Sequence, residues 1–348
     1  MITYFKKIFF ASIILLFFFG SIEFLLRSLN IGDFIFDEFV AMRALDAPLL
    51  IKDRFAGVKM APNGIYADPS LKNVFSNLRP NFLPSDINPK AGFVRLNSLG
   101  FRDQELNKDA TYKILCLGDS TTFGWGLYSN DLIFTKKLEN KLTEFLKWSG
   151  SAKTVDIFNA GTPSYSVYQG LQIYLHYLVD LTHWDYIILW FGLNKSLMEK
   201  NLIHIREELL INKFLYDLRD FLRKFRTYNI LKTYLQKLVN PEITRNNAYE
   251  KIYEKLIKIA KEQGSKIIIL PLVIPNTTKS RNAYGYVPTL NQITKKVSKK
   301  TSSVYLKIDE DFDKHKGEIK WFDSVHFDST GHTVIANKLF DFLKDDLN

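Results

Sequence analysis

The chain has 348 residues, 47 Lys and Arg against 37 Asp and Glu, and a formal net charge of +10. Hydrophobic residues make up 46% and charged residues 24%. This composition excludes wholesale disorder and fibrous low complexity, and the length allows two domains or one large domain with appendages. A single Cys excludes internal disulfides and any Cys-rich zinc site, while the positive surplus suits nucleic acid, an anionic membrane surface or solubility alone.

At the N-terminus, Lys6 and Lys7 precede Ile8–Ile22, which carries no charge. Glu23 interrupts, and Phe24, Leu25 and Leu26 follow before Arg27. From 8 to 26 the run is near the ~20 residues that cross a bilayer as a helix. No small-x-small cleavage site follows it, so an uncleaved signal anchor is expected over residues 1–30, with a cleaved signal peptide and a buried helix as alternatives. Lysines before the span and a lone Arg after it place the N-terminus in the cytoplasm and the remainder on the extracytoplasmic, periplasmic side, as a single-pass membrane protein.

Residues 31–110 show no clean period and hold Pro48, Pro62, Pro69, Pro80, Pro84 and Pro89, which reads as a connecting segment. From Tyr112 onward, short apolar runs alternate with amphipathic stretches. Strands are expected at Lys113–Leu117, Val155–Asn159, Tyr186–Phe191, Lys266–Val273 and Val304–Ile308. Helices are expected at Leu132–Trp148, Tyr165–Leu181, Asn247–Gln263 and Ser329–Leu343. The alternation argues for an α/β domain over residues 111–348 with a parallel five-stranded sheet. Residues 196–246 interrupt it with helical spacing and a basic character, carried among others by Arg219, Arg223, Lys224, Arg226, Lys232 and Lys237. A solvated excursion is one reading, and a lid or membrane-facing cap is the other.

Ligands of such sheets bind beyond the carboxyl ends of the strands. After the first strand comes Gly118-Asp119-Ser120-Thr121-Thr122. After the second comes Asn159-Ala160-Gly161, and after the third Gly192-Leu193-Asn194. After the fifth comes Asp323-Ser324-Val325-His326. One edge thus gathers a hydroxyl, a backbone N–H beside a glycine, a side-chain amide and a carboxylate–imidazole pair, the parts needed for acyl transfer through a serine. In that arrangement His326 takes the Ser120 proton and Asp323 orients the imidazole. The N–H groups of Ser120 and Gly161 and the Asn194 amide form the oxyanion hole.

These four blocks resemble the SGNH hydrolases, also called the GDSL esterase/lipase family, whose name-giving residues match Ser120, Gly161, Asn194 and His326. The resemblance covers about residues 111–348. It implies a flavodoxin-like three-layer sandwich, no metal or cofactor, and hydrolysis of ester or related acyl bonds. Two departures are visible. Lys195 stands where the family often has Asp, and the first block ends in Thr-Thr, not Leu. The stretch Asn97-Ser98-Leu99-Gly100-Phe101-Arg102 is similar to a segment that membrane-anchored members carry ahead of the nucleophile, so Arg102 either braces the loops near the site or is an ordinary surface arginine.

Each signal has a plainer reading. Gly-Asp-Ser is ordinary turn chemistry, Gly161 a turn glycine and Asn194 a helix cap. Their joint order at strand ends favours the enzyme. Among other histidines, His332 follows Asp328 by four residues, but it falls in the first turn of the last helix. Cys116 reads as a buried core thiol. Asn194-Lys195-Ser196 and Asn276-Thr277-Thr278 match glycosylation sequons, and a glycan at Asn194 would block the site. Walker, Gly-x-Gly-x-x-Gly and His-Glu-x-x-His motifs do not occur, and no nucleic-acid motif accompanies the charge. The expected substrate is an acyl ester of envelope carbohydrate, with acetyl the expected group, or of lipid. Transfer of the acyl group to a sugar hydroxyl, or a non-catalytic envelope scaffold, are the alternatives.

Overall fold

A computed structural model describes residues 2–29, 31, 50–53, 55–66, 94–127, 129–194, 218, 221–222, 224–239 and 245–347. In chain order the elements are α1 (Ile2–Ser28), β1 (Leu50–Asp53), β2 (Gly57–Met60), β3 (Ile65–Tyr66), β4 (Val94–Arg95) and β5 (Tyr112–Gly118). Then come α2 (Ser120–Phe123), α3 (Phe134–Trp148), β6 (Val155–Gly161), α4 (Val167–Ile173), β7 (Tyr186–Trp190), α5 (Arg226–Val239) and α6 (Arg245–Glu262). The chain closes with β8 (Lys266–Ile269), α7 (Thr278–Tyr284), α8 (Val287–Lys300), β9 (Val304–Tyr305), α9 (Asp309–Lys314) and α10 (Ser329–Leu347). They divide into two compact units. One comprises residues 1–42 and 201–243, and the other residues 43–200 and 244–348. Lys195 and most of the 196–246 segment lie outside the described residues.

In the larger unit, five parallel strands pair in the order β6-β5-β7-β8-β9. Ile114–Leu117 and the whole of β7 are buried, as suits strands covered on both faces. Helices α3 and α10 pack together as one layer, and α4, α6 and α8 as the other. α3 shows how the pattern produces the packing. Phe134, Leu138, Leu142 and Leu146 recur every four residues and are all buried, each burial stabilising by about 1.5–3 kcal/mol.

The elements depart from their expected bounds in specific ways. β8 stops at Ile269 because Pro271 cannot extend the ladder, although Leu270 N–H still reaches the Leu189 carbonyl at 3.0 Å. β9 has only two residues, with Leu306 N–H donating to the Ile269 carbonyl beyond it. The expected Tyr165–Leu181 helix begins at Val167, after a Ser166–Gln169 capping box, and becomes a π turn over Tyr174–Leu178. Helices α7 and α8 have no counterpart among the expected elements. The described parts of the segment before the sheet are folded. β1 pairs with β2 and β3 with β4, and Met60, Ala61, Val94 and Leu96 form a small core with Phe123.

The smaller unit contains α1 and α5. Phe9–Ser28 is long and apolar enough to cross a membrane, with a mean hydropathy of 2.3 and none of that window buried.

Candidate active site

The register of the sheet sets the site. Gly118 at the end of β5 pairs with Gly161 on β6 and with Trp190 on β7, so the three following loops start side by side. Ser120 opens α2. Asp119 caps that turn, its Oδ1 accepting from Thr121 N–H at 3.0 Å and from Thr121 Oγ1 at 2.8 Å. The turn ends at Gly124 in the left-handed region (φ 81°), where a side chain would be strained. Gly161 has a different task. A Cβ there would lie 2.3 Å from the Phe123 nitrogen, so its hydrogen is what lets α2 rest against β6.

The imidazole arrives from the far end of the sequence. An isolated antiparallel bridge, Trp321 to Phe327, closes a short loop, and Phe322 N–H donates to the His326 carbonyl at 2.8 Å. Inside the loop, Asp323 Oδ1 accepts from the N–H groups of Val325 and His326, each at 2.8 Å. Its Oδ2 lies 2.6 Å from His326 Nδ1, and His326 Nε2 lies 2.8 Å from Ser120 Oγ. Ser120 is buried, at 8% exposure, and the His326 side chain is 14% exposed. Burial pushes the Asp323 carboxyl up, but the hydrogen bond and charge of His326 and the two backbone donors outweigh it and hold the group down at about 2. Burial raises the carboxyl of Asp119.

Gly161 and Asn194 lie on the loops beside Ser120, each with its donor engaged. Gly161 N–H donates to Asn159 Oδ1 at 2.9 Å, and Asn194 Nδ2 donates to the Tyr165 carbonyl at 3.2 Å. The loop bearing Asn194 is fixed by tyrosines: Tyr249 Oη donates to the Phe191 carbonyl at 2.6 Å and Tyr286 Oη to the Leu193 carbonyl at 2.7 Å. His332 is elsewhere. It is buried in α10, where Nδ1 accepts from Phe134 N–H at 3.1 Å, and burial followed by the charge of Arg102 lowers its pKa. It joins α10 to α3 as a neutral ring. Cys116 is fully buried and burial raises its thiol well above the ordinary value, so it is a core residue. Among the described residues no group of three His, Cys, Asp or Glu could hold a metal ion.

Two further residues support the loops: Asn159, to which no role of its own is assigned from the sequence, and Arg102, for which bracing is one of two readings. Asn159 is fully buried and ties the loops together, since its Nδ2 donates to the Thr122 carbonyl at 3.0 Å while its Oδ1 holds Gly161. Arg102 is 1% exposed. Its guanidinium donates to the carbonyls of Phe123, Gly124, Leu127 and Ser129 at 2.7 to 3.1 Å and to Asn130 Oδ1 at 3.1 Å. It is therefore no surface arginine. It cages the chain that leaves the Ser120 turn.

Residues 116–334 match the GDSL-like lipase/acylhydrolase family. No curated protein matches the sequence significantly. Similar solved structures include a lipase/acylhydrolase from Enterococcus faecalis, at 14% identity and a TM-score of 0.46 over 68% of this chain and 98% of that one. Another is the α/β hydrolase LAE5 from the metagenome of Lake Arreo, at 17% identity and a TM-score of 0.47 over 69% and 97%. A third is the acetylxylan esterase Axe2 from Geobacillus stearothermophilus, at 14% identity and a TM-score of 0.45 over 69% and 96%. With well over half of its length matched by the family, the chain belongs to the GDSL-like lipase/acylhydrolases and is a hydrolase of ester bonds.

Proposed function

We propose that this protein is a membrane-anchored serine esterase that removes short O-acyl groups, acetyl above all, from carbohydrate or lipid of the cell envelope. The observation that carries the reading is the continuous relay from Ser120 Oγ through the two nitrogens of His326 to Asp323. Ser120 Oγ attacks the ester carbonyl carbon while its proton passes to His326 Nε2. Asp323, ionised down to about pH 2, stabilises the imidazolium through Nδ1. The carbonyl oxygen becomes an oxyanion within reach of the N–H groups of Ser120 and Gly161 and of Asn194 Nδ2. The last two exchange or share their present acceptors as the substrate arrives, because such bonds tighten in the reacting complex. The ester C–O bond then breaks and the Nε2 proton goes to the departing alcohol. Water, deprotonated by His326, repeats the attack and releases the acid. The depth of Ser120 supports a small acyl group. The span at Phe9–Ser28, with Lys6 and Lys7 before it, supports anchoring with the catalytic unit on the extracytoplasmic side.

The test is turnover of p-nitrophenyl esters of increasing chain length by the full chain in detergent, beside Ser120→Ala. Acetate should be the best substrate, and Ser120→Ala should lower kcat by about 10⁴-fold or more. Rates rising with chain length would move the substrate to lipid acyl esters. Equal turnover by Ser120→Ala would sink the nucleophile.

A further inference from the structure

The smaller unit holds an arrangement that the ester chemistry does not use. Lys7 and Arg27 are twenty residues apart, about 30 Å along a helix, which matches the hydrocarbon thickness of a bilayer. Glu23 lies one turn inside Arg27, about 6 Å along the axis. A carboxylate at that depth is costly unless it is partnered, and here it is fully partnered. Arg226 N–H donates to Glu23 Oε1 at 3.0 Å, Thr227 N–H and Oγ1 donate to Oε2 at 3.0 and 2.9 Å, and Arg27 Nε donates to Oε1 at 2.9 Å. In return Arg226 reaches the Leu26 carbonyl at 2.8 Å and Arg27 the Lys224 carbonyl at 2.7 Å. The first turn of α5 is thus clamped to the last turns of α1.

The clamp is local. Every residue from Phe9 to Ser21 is exposed, whereas Ile22, Glu23 and Leu26 are half-buried. Among the described residues, α5 therefore meets the span at its end. Yet α5 and the turn before it expose apolar side chains of their own. Phe221 is 54% exposed, Leu231 52% and Tyr234 62%, with Phe225 and Ile230 close behind. Ile230, Leu231 and Tyr234 share one helical face. Between residues 218 and 239 the sequence places six basic residues against one acidic, Asp220. An apolar face beside basic residues, fastened at the boundary of a span, has the chemistry of a helix lying in a lipid interface.

We propose that residues 221–234 form a second membrane contact, a foot that lies in the anionic headgroup layer with Phe221, Leu231 and Tyr234 in the acyl boundary, pinned to the span by Glu23. The proposal rests on the reading of α1 as a membrane span and adds to it a surface-lying element from the distant part of the sequence.

The test uses the full chain reconstituted in phosphatidylcholine–phosphatidylglycerol vesicles. An environment-sensitive fluorophore is attached at Leu231→Cys or Tyr234→Cys, with Phe17→Cys as a span control and Trp148→Cys, 86% exposed, as a water control. The native thiol, Cys116, is buried and stays unlabelled. Labels at 231 and 234 should be blue-shifted, lose access to iodide and be quenched by doxyl-labelled lipid, as at 17 and unlike 148. Iodide access equal to that at 148, with 17 still quenched by lipid, would overturn the foot and leave the anchor standing. Protection from iodide without quenching by lipid would overturn it in favour of a protein partner on this face. No lipid quenching at 17 would overturn both readings.

Discussion

Asp323 and Asp103 are two carboxylates that their surroundings drive apart. Asp323 is held at about 2 by His326, so it remains charged across the working range. Asp323→Asn keeps the loop's volume but presents the wrong partner to Nδ1, and kcat should fall by about 10³–10⁴-fold with KM little changed, in steady-state assays on p-nitrophenyl acetate. Asp103 lies against β6, with Oδ2 accepting from Asn159 N–H at 2.6 Å. Burial, with help from Glu139 and Asp156, pushes it up to about 7 against its two backbone donors. The folded chain therefore keeps a proton that the unfolded chain has released from about pH 4 upward. The stability from this group is present at low pH and is lost as pH rises toward 7. Removing the titration with Asp103→Asn should give a variant whose deficit against the native chain shrinks between about pH 4 and pH 7, as read from urea unfolding at several pH values.

At the scale of elements, the Ser120 turn is held from three sides. Asp119 caps it, Gly161 gives it room against β6, and Arg102 gathers the carbonyls that follow it. The carbonyls of Gly124 and Ser129 also accept from the N–H groups of Leu127 and Leu132, but those of Phe123 and Leu127 rely on the guanidinium, so its loss leaves two acceptors without a donor. Arg102→Met should cost about 3 kcal/mol or more in denaturant unfolding. It should also lower kcat more than it raises KM, since the turn that aims Ser120 Oγ loosens. Unchanged stability would show that water or neighbouring donors replace the cage. The same scale explains His332. It packs on Phe134 and Phe327 with ring centroids 6.0 and 4.9 Å away, and it belongs to the α3–α10 contact, remote in role from the imidazole of His326.

For the whole molecule, the division into units separates the apolar helix from the candidate site. Ser120, Gly161, Asn194, Asp323 and His326 all belong to the larger unit, and Phe9–Ser28 belongs to the smaller one. A chain lacking residues 2–28 should leave the membrane fraction on alkaline carbonate extraction and still hydrolyse soluble acetate esters at close to the native rate. Loss of activity in a folded, truncated protein would mean that the span also shapes the site.

Much of this was legible in the residues alone. The alternation of apolar runs and amphipathic stretches determined a parallel α/β sheet, because strands buried on both faces must be apolar throughout and helices packed on them on one side only. The four loop blocks were legible because chemistry at strand ends needs particular residue types in a particular order. Other features depend on contacts between residues far apart in sequence, which no local pattern encodes. Arg102 could be read either as a brace or as a surface residue, and only the fold decides between them, since its carbonyl partners lie 21 to 27 residues away. Asn159 reads as a strand-end polar residue until Thr122 and Gly161 close on it. The early end of β8 and the short β9 were set by Pro271 and by how few residues find a partner at the sheet's edge. Glu23 is visible in the sequence as a charge that interrupts an apolar run, and only the fold, bringing Thr227 to it across 204 residues, turns it into a joint.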